Sequence, residues 1–245
     1  MATAGSMTDE MLLLQAAMEG QWRDMHRLLS HGLVHLDCTH DFGWTPLHWL
    51  ATQGYHECVK MLLPRVATVV ADEDGATALQ EAVLRNYTNT CLKASLVPRL
   101  RKDTSPVDPR NGWTALMYAC DGDKVAIARH HGAVFDAQNK PGHMSPWLAA
   151  KEPQSGVVKL LLEHGATSDA VSRDGQTPLL LAAMTRHAEN AELVMEHGAN
   201  VSSRSRAITA LAHAIVNGDE ATFEMLLDIN DIDLEWTILG GRGCS

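Results

Sequence analysis

Glu81, Asp121 and His143 are the side chains of this sequence most suited to moving a proton or holding a charge. Glu81 lies four residues after Thr77, at the offset that Trp49 holds from Thr45 and Tyr118 from Thr114. Trp44 and Trp113 each sit between a glycine and one of these threonines. If Trp44, Trp49, Trp113 and Tyr118 surround Glu81 and Arg85, the carboxyl lies in apolar surroundings that raise its pKa. Such a group can act as a general acid or base, with Asp121 and His143 joining it. It can equally bind a cation, helped by the aromatic faces. Packing alone also explains the aromatic positions, because Trp and Tyr cover the helix beneath them.

Other chemistry finds little support. The sequence contains no GxxxxGK[ST], GxSxG or HExxH motif and no GxGxxG after a strand. His35, Cys38 and His40 are close together but lack a fourth ligand at a suitable spacing, so no metal is expected. No cofactor is expected either. The five cysteines are odd in number and scattered without CxxC spacing, which predicts a reducing compartment, cytoplasmic or nuclear. The net charge of −10 disfavours nucleic acid and anionic lipid, which require clustered Lys and Arg. No apolar run approaches the roughly 20 residues of a membrane span, and Met11 to Met18 reads as the start of a structural unit rather than a signal peptide. Arg99, Arg101, Lys102 and Arg110 form a basic stretch that reads as a solvated loop, or as a contact for an acidic or phosphorylated partner.

The elements that must position these residues are announced by a recurring phrase. GWTPLHWLA (43–51) returns as GATALQEAV (75–83), GWTALMYAC (112–120) and GQTPLLLAA (175–183), with weaker copies HMSPWLAAK (143–151) and AITALAHAI (207–215). Its Thr or Ser falls at 45, 77, 114, 145, 177 and 209, giving spacings of 32, 37, 31, 32 and 32. Asp-Gly or Asn-Gly pairs before the phrase suit a tight turn. Thr then suits a helix N-cap, and Pro the first helical position. Paired leucines follow at 61–63, 160–162 and 225–227, and H-G-A offers glycine for a left-handed C-cap. The period and the T-P-L-H-x-A core resemble the ankyrin repeat family over residues 8–234.

That resemblance implies an all-α repeat solenoid, with β-hairpin fingers joined to antiparallel helix pairs. Seven units are expected, near 8–37, 38–70, 71–107, 108–138, 139–170, 171–202 and 203–236, as one solenoid over 8–236. A flexible leader (1–7) and a loose tail (237–245) flank it. The 37-residue spacing predicts an enlarged finger over 96–110, and the next unit is shortened by almost one helical turn. In the family the TPLH histidine, here His48, hydrogen-bonds the neighbouring finger. His31, His131, His164 and His197 precede capping glycines and read as structural. The finger-base position of Trp44 and Trp113 faces a concave groove in the family and is often used for contact.

The expected function is noncatalytic protein recognition by a monomer. Its contacts would be Asp41, Phe42, Trp44, Trp49, Glu81, Arg85, Trp113, Tyr118, Asp121, His143 and Met144. The alternative is a small-molecule site or an atypical enzyme using Glu81, Asp121 and His143. A third reading, a structural spacer, requires a polar and featureless face.

Overall fold

Threonine hydroxyls open the first helix of unit after unit. In a computed structural model of the chain, residues 8–30, 34–66, 70–89, 107–128, 135–205 and 208–228 are described. The Oγ1 atoms of Thr8, Thr45, Thr77, Thr177 and Thr209 accept the backbone N–H three residues on, at 3.3–3.4 Å. They start α1 (Asp9–Glu19), α3 (Pro46–Gln53), α5 (Ala78–Leu84), α10 (Pro178–Thr185) and α12 (Ala210–Asn217). Each cap satisfies one of the amides that no helical carbonyl can reach. Ser145 was expected to do the same and does not. It is the first residue of α8 (Ser145–Ala150), and its buried hydroxyl makes no cap hydrogen bond.

The second helices are α2 (Trp22–Ser30), α4 (His56–Leu62), α9 (Gly156–Glu163), α11 (Ala188–Glu196) and α13 (Glu220–Leu227). The fourth unit carries α6 (Ala115–Cys120) and α7 (Val125–Ala128). The described part of α7 ends at Ala128, and the residues that follow it in the unit expected to be shortened lie outside the described residues. Antiparallel strands β1 (Arg204–Ser205) and β2 (Ile208–Thr209) form one finger. Single bridges, Ala71 with Thr77 and Asp108 with Trp113, mark two others. The leader, most of the 96–110 finger, His31, His131 and the tail lie outside the described residues.

Among the described residues, the contacts divide the chain into two units, one up to Ala115 and one from Leu116 onward. In the first, α1 packs on α2 and α3, and α3 on α4 and α5. Its core holds Leu13, Met25, Leu28, Leu50, Val59 and Leu62, with Leu79 and Trp49 packed against it. In the second, α10 packs on α8, α11 and α12, and the helices α9, α11 and α13 follow one another. Ala182 and Ala183 are fully buried there, as close helix approach requires. The fold class is thus an all-α repeat solenoid.

Amide side chains tie one repeat to the next. Gln53 Nε2 donates to the Met18 carbonyl at 2.7 Å, Asn190 Nδ2 to the Glu152 carbonyl at 2.6 Å, and Asn217 Nδ2 to the Met184 carbonyl at 3.0 Å. These acceptors are the otherwise unsatisfied carbonyls at or just beyond the first-helix ends of the preceding repeats. His164 and His197 bond backwards, each placing Nδ1 at 2.8 Å from the carbonyl four residues earlier. Because a carbonyl only accepts, both rings carry the Nδ1 proton. Their role is structural, as their place before glycine indicates.

Candidate functional site

In the first unit, two side chains of unlike chemistry lock successive fingers onto successive helices in the same way. His48 Nδ1 lies 2.8 Å from Thr45 Oγ1 and 3.3 Å from the Thr45 amide, while Nε2 lies 3.1 Å from the Ala76 carbonyl. The carbonyl fixes the tautomer: Nε2–H donates to Ala76, and Nδ1 accepts from Thr45. One repeat later, Gln80 Oε1 accepts from the Thr77 amide at 2.7 Å and from its hydroxyl at 3.0 Å. Gln80 Nε2 donates to the Trp113 carbonyl at 3.0 Å. The amide thus reproduces the imidazole atom for atom, and it anchors the finger base that carries Trp113.

Trp44 and Trp49 meet edge to face, with ring centroids 4.7 Å apart at 65°. Both are half-buried, and the Trp49 indole nitrogen is buried without an acceptor. Glu81 holds Trp49's register position on α5, the helix packed beside α3. Its side chain is 13% exposed, and its closest cation is Arg85 Nε at 3.9 Å, too far for a hydrogen bond. Burial, with help from Asp72 and Asp108, pushes the Glu81 carboxyl above the usual carboxylate range, while Arg85 and Arg110 pull it back. The rise expected for Glu81 is therefore present.

Arg110 is no free loop cation, as its place in a basic stretch suggested. Its Nε lies 3.0 and 3.1 Å from the two carboxylate oxygens of fully buried Asp108, and its Nη2 lies 2.9 Å from Oδ2. Nη1 reaches Asp74 on the preceding finger at 3.3 Å. A buried carboxylate needs such a partner, and the planar fork supplies it. Asp72, Gln80 and Asp108 are the members of this site that sequence reasoning missed. The available signal was positional: Asp72 and Asp108 stand five and six residues before the threonine of the recurring phrase, Thr77 and Thr114.

Phe42 occupies the turn Asp41–Gly43 with φ 67° and ψ 15°, and 69% of its surface is exposed. A bulky residue in the left-handed region costs roughly 1–2 kcal/mol. Its carbonyl accepts the Glu73 amide of the next finger at 3.0 Å, which holds the turn in place. Phe42→Asn should raise stability by about 1 kcal/mol, because Asn tolerates this conformation. Urea unfolding checks this, and an unchanged or lower midpoint refutes the strain.

Tyr118, Asp121, His143 and Met144 belong to the second unit. Asp121 Oδ1 is paired with Lys151 Nζ at 3.1 Å. His143 stacks on buried Trp147 with centroids 3.6 Å apart and planes 4° from parallel. Burial lowers its pKa, opposed by Asp174 and helped by Lys151. Met144 precedes α8, and Tyr118 lies within α6. Glu81 thus belongs to one unit, and Asp121 and His143 to the other, each with its own neighbours. Among the described residues no group of three His, Cys, Asp or Glu side chains could hold a metal ion, and no helix is long and apolar enough to cross a membrane.

Comparison with known proteins agrees with this geometry. A family model for ankyrin repeats, in three copies, matches residues 13–93 and 146–235. The interval between the two matches contains the segment 96–110, where the sequence predicts an enlarged finger, and the unit it predicts to be shortened. The chain is 30% identical over 106 residues to an ankyrin repeat, SAM and basic leucine zipper domain-containing protein 1 from Saimiri boliviensis boliviensis, covering 42% of this chain and 22% of that protein. The Callithrix jacchus counterpart is 31% identical over 103 residues, covering 41% and 22%. The human transient receptor potential cation channel subfamily A member 1 is 39% identical over 64 residues, covering 26% of this chain and 5% of the channel. The chain therefore spans about a fifth, or less, of the length of these relatives. With the recurring caps, the finger-to-helix locks and a family match over more than half its residues, the chain belongs to the ankyrin repeat family.

Proposed function

We propose that the chain is a noncatalytic recognition module that docks a protein partner on the finger and first-helix face of its repeats. Ankyrin repeats are in general protein–protein interaction modules. The observation that carries the choice of face is the aromatic surface left on it in the first unit. Phe42 is exposed at a strained fingertip, and Trp44 and Trp49 are half-buried, whereas Leu62 of α4 and Leu63 just after it are turned into the core. Aromatic anchors held on a rigid backbone lose little entropy on binding, which is why they dominate recognition surfaces.

Asp41, Phe42, Trp44, Trp49, Glu81, Arg85 and Trp113 are the contacts proposed in the first unit. Tyr118, Asp121, His143 and Met144 are those of the second. The proposed setting is a reducing compartment, in keeping with the free thiols of Cys38, Cys58 and Cys120. The test is affinity capture with the intact chain and with Trp44 and Trp113 both changed to alanine. The double variant is expected to stay folded and lose at least tenfold in partner recovery. Equal recovery by the two chains removes the proposed face.

A further inference from the structure

The charge around Glu81 has one sign left over. Asp72, Glu73, Asp74 and Asp108 lie on the two fingers flanking α5, against the cations Arg85 and Arg110. Arg110 is already held by Asp108 and Asp74. Arg85, the C-cap of the same helix and four residues from Glu81, has a half-exposed side chain and makes only a 3.9 Å approach. Glu81 is therefore a largely desolvated carboxylate without a hydrogen-bonded cation, and Asp72 adds negative potential beside it. On the neighbouring helix, at the same register position, stands Trp49, braced by Trp44. An acidic group next to an indole pair complements a cation whose stem is apolar.

Resting on the docking face proposed above, we propose that Glu81 receives a lysine or arginine side chain of the partner, its charge on the carboxylate and its methylene stem along Trp49 and Trp44. Both head groups share the needed chemistry. Arginine would add a second donor, and lysine would act as a point charge. Arg85 is then an internal competitor that the incoming cation displaces. The raised carboxyl pKa acts in the same direction: a cation arriving at Glu81 favours its ionised form, so binding strengthens as pH rises through the Glu81 titration. Asp72 and Asp108 from the fingers, with Arg85 and Arg110, are the charged groups that set this titration.

The test is an NMR titration of the full chain with three capped amino acids: N-acetyl-lysine, N-acetyl-arginine and neutral N-acetyl-norleucine N-methylamides. The indole signals of Trp44 and Trp49 are the readout. Lysine, arginine or both should shift them saturably, and the stronger of the two identifies the head group, while norleucine should not. Glu81→Gln should weaken the cation by about tenfold. Arg85→Met, which removes the competitor, should tighten it several-fold, a change that a merely structural Glu81 would not produce. Norleucine shifts equal to those of the cations, no shift with any probe, or unchanged affinity in both variants would overturn the proposal. Such a result, with Trp44/Trp113-dependent capture intact, sinks only the charge assignment. Loss of that dependence sinks the docking face itself.

Discussion

Alanine in place of Gly75 is expected to destabilise the first unit by about 2–4 kcal/mol, the sum of a backbone and a steric penalty. Gly75 closes the Asp74-Gly75 fingertip with φ 82°, and its amide donates to the Asp72 carbonyl at 2.9 Å. An added Cβ would stand 2.1 and 2.2 Å from Cγ and Cδ of Pro109 on the next finger. Proline cannot rotate that ring away, so one finger must move relative to the other. Gly198→Ala is the matched control. Gly198 has φ 85°, and a Cβ added there would meet nothing within 4 Å. Only the backbone penalty of about 1–2 kcal/mol then applies. In Gly75→Ala with Pro109→Ala, the steric part should vanish and the backbone part remain. Urea denaturation of the parent and these three variants separates the two penalties. Equal losses for Gly75→Ala and Gly198→Ala would show that the fingers are not in van der Waals contact.

That contact illustrates what could and could not be read in advance. The period, the threonine caps and the buried leucine pairs are local: each follows from side chains within a few positions of one another. They made the repeat fold legible from the chain alone. Gly75 against Pro109, Tyr55 over Gly20 and Tyr87 over Gly54 join residues about one repeat apart, where only the stacking of units reveals the neighbour. The same is true of Arg110. Its sequence neighbours Arg99, Arg101 and Lys102 suggested a solvated loop, yet its partners are Asp108 in its own finger and Asp74 in the one before. Within the candidate site, the aromatic register and the raised Glu81 pKa were legible. The equivalence of Gln80 and His48 was not, because TALQ reads as a decayed copy of TPLH until both side chains are seen bridging a cap to the next finger.

His48 supplies the sharpest test of that equivalence. His48→Ala should cost about 1–3 kcal/mol, because it strands the buried Thr45 amide and takes from the Ala76 carbonyl one of its two donors, the Asp72 amide being the other. His48→Gln should restore most of this at neutral pH, since Gln80 already makes the same bonds with the same polarity. The two variants must also differ from the parent in acid. Burial lowers the His48 pKa, and the Ala76 carbonyl and Asp72 only partly offset this. Protonating Nδ1 would also turn it from an acceptor into a donor facing the Thr45 amide. The unfolded chain therefore takes up the proton near the ordinary imidazole value of about 6.5, whereas the folded chain refuses it until lower pH. Stability from this group is complete above that value and is lost as pH falls from it towards the folded pKa, by up to about 1.4 kcal/mol per pH unit. His143 and His213 in the second unit, also lowered by burial, add acid sensitivity of the same sign that survives the substitution. Unfolding free energies at pH 7.5 and across the acid window should thus show a shallower slope for His48→Gln than for the parent. Identical slopes would mean that His48 accepts its proton in the folded chain, and the assignment of Nδ1 as an acceptor from Thr45 would fall.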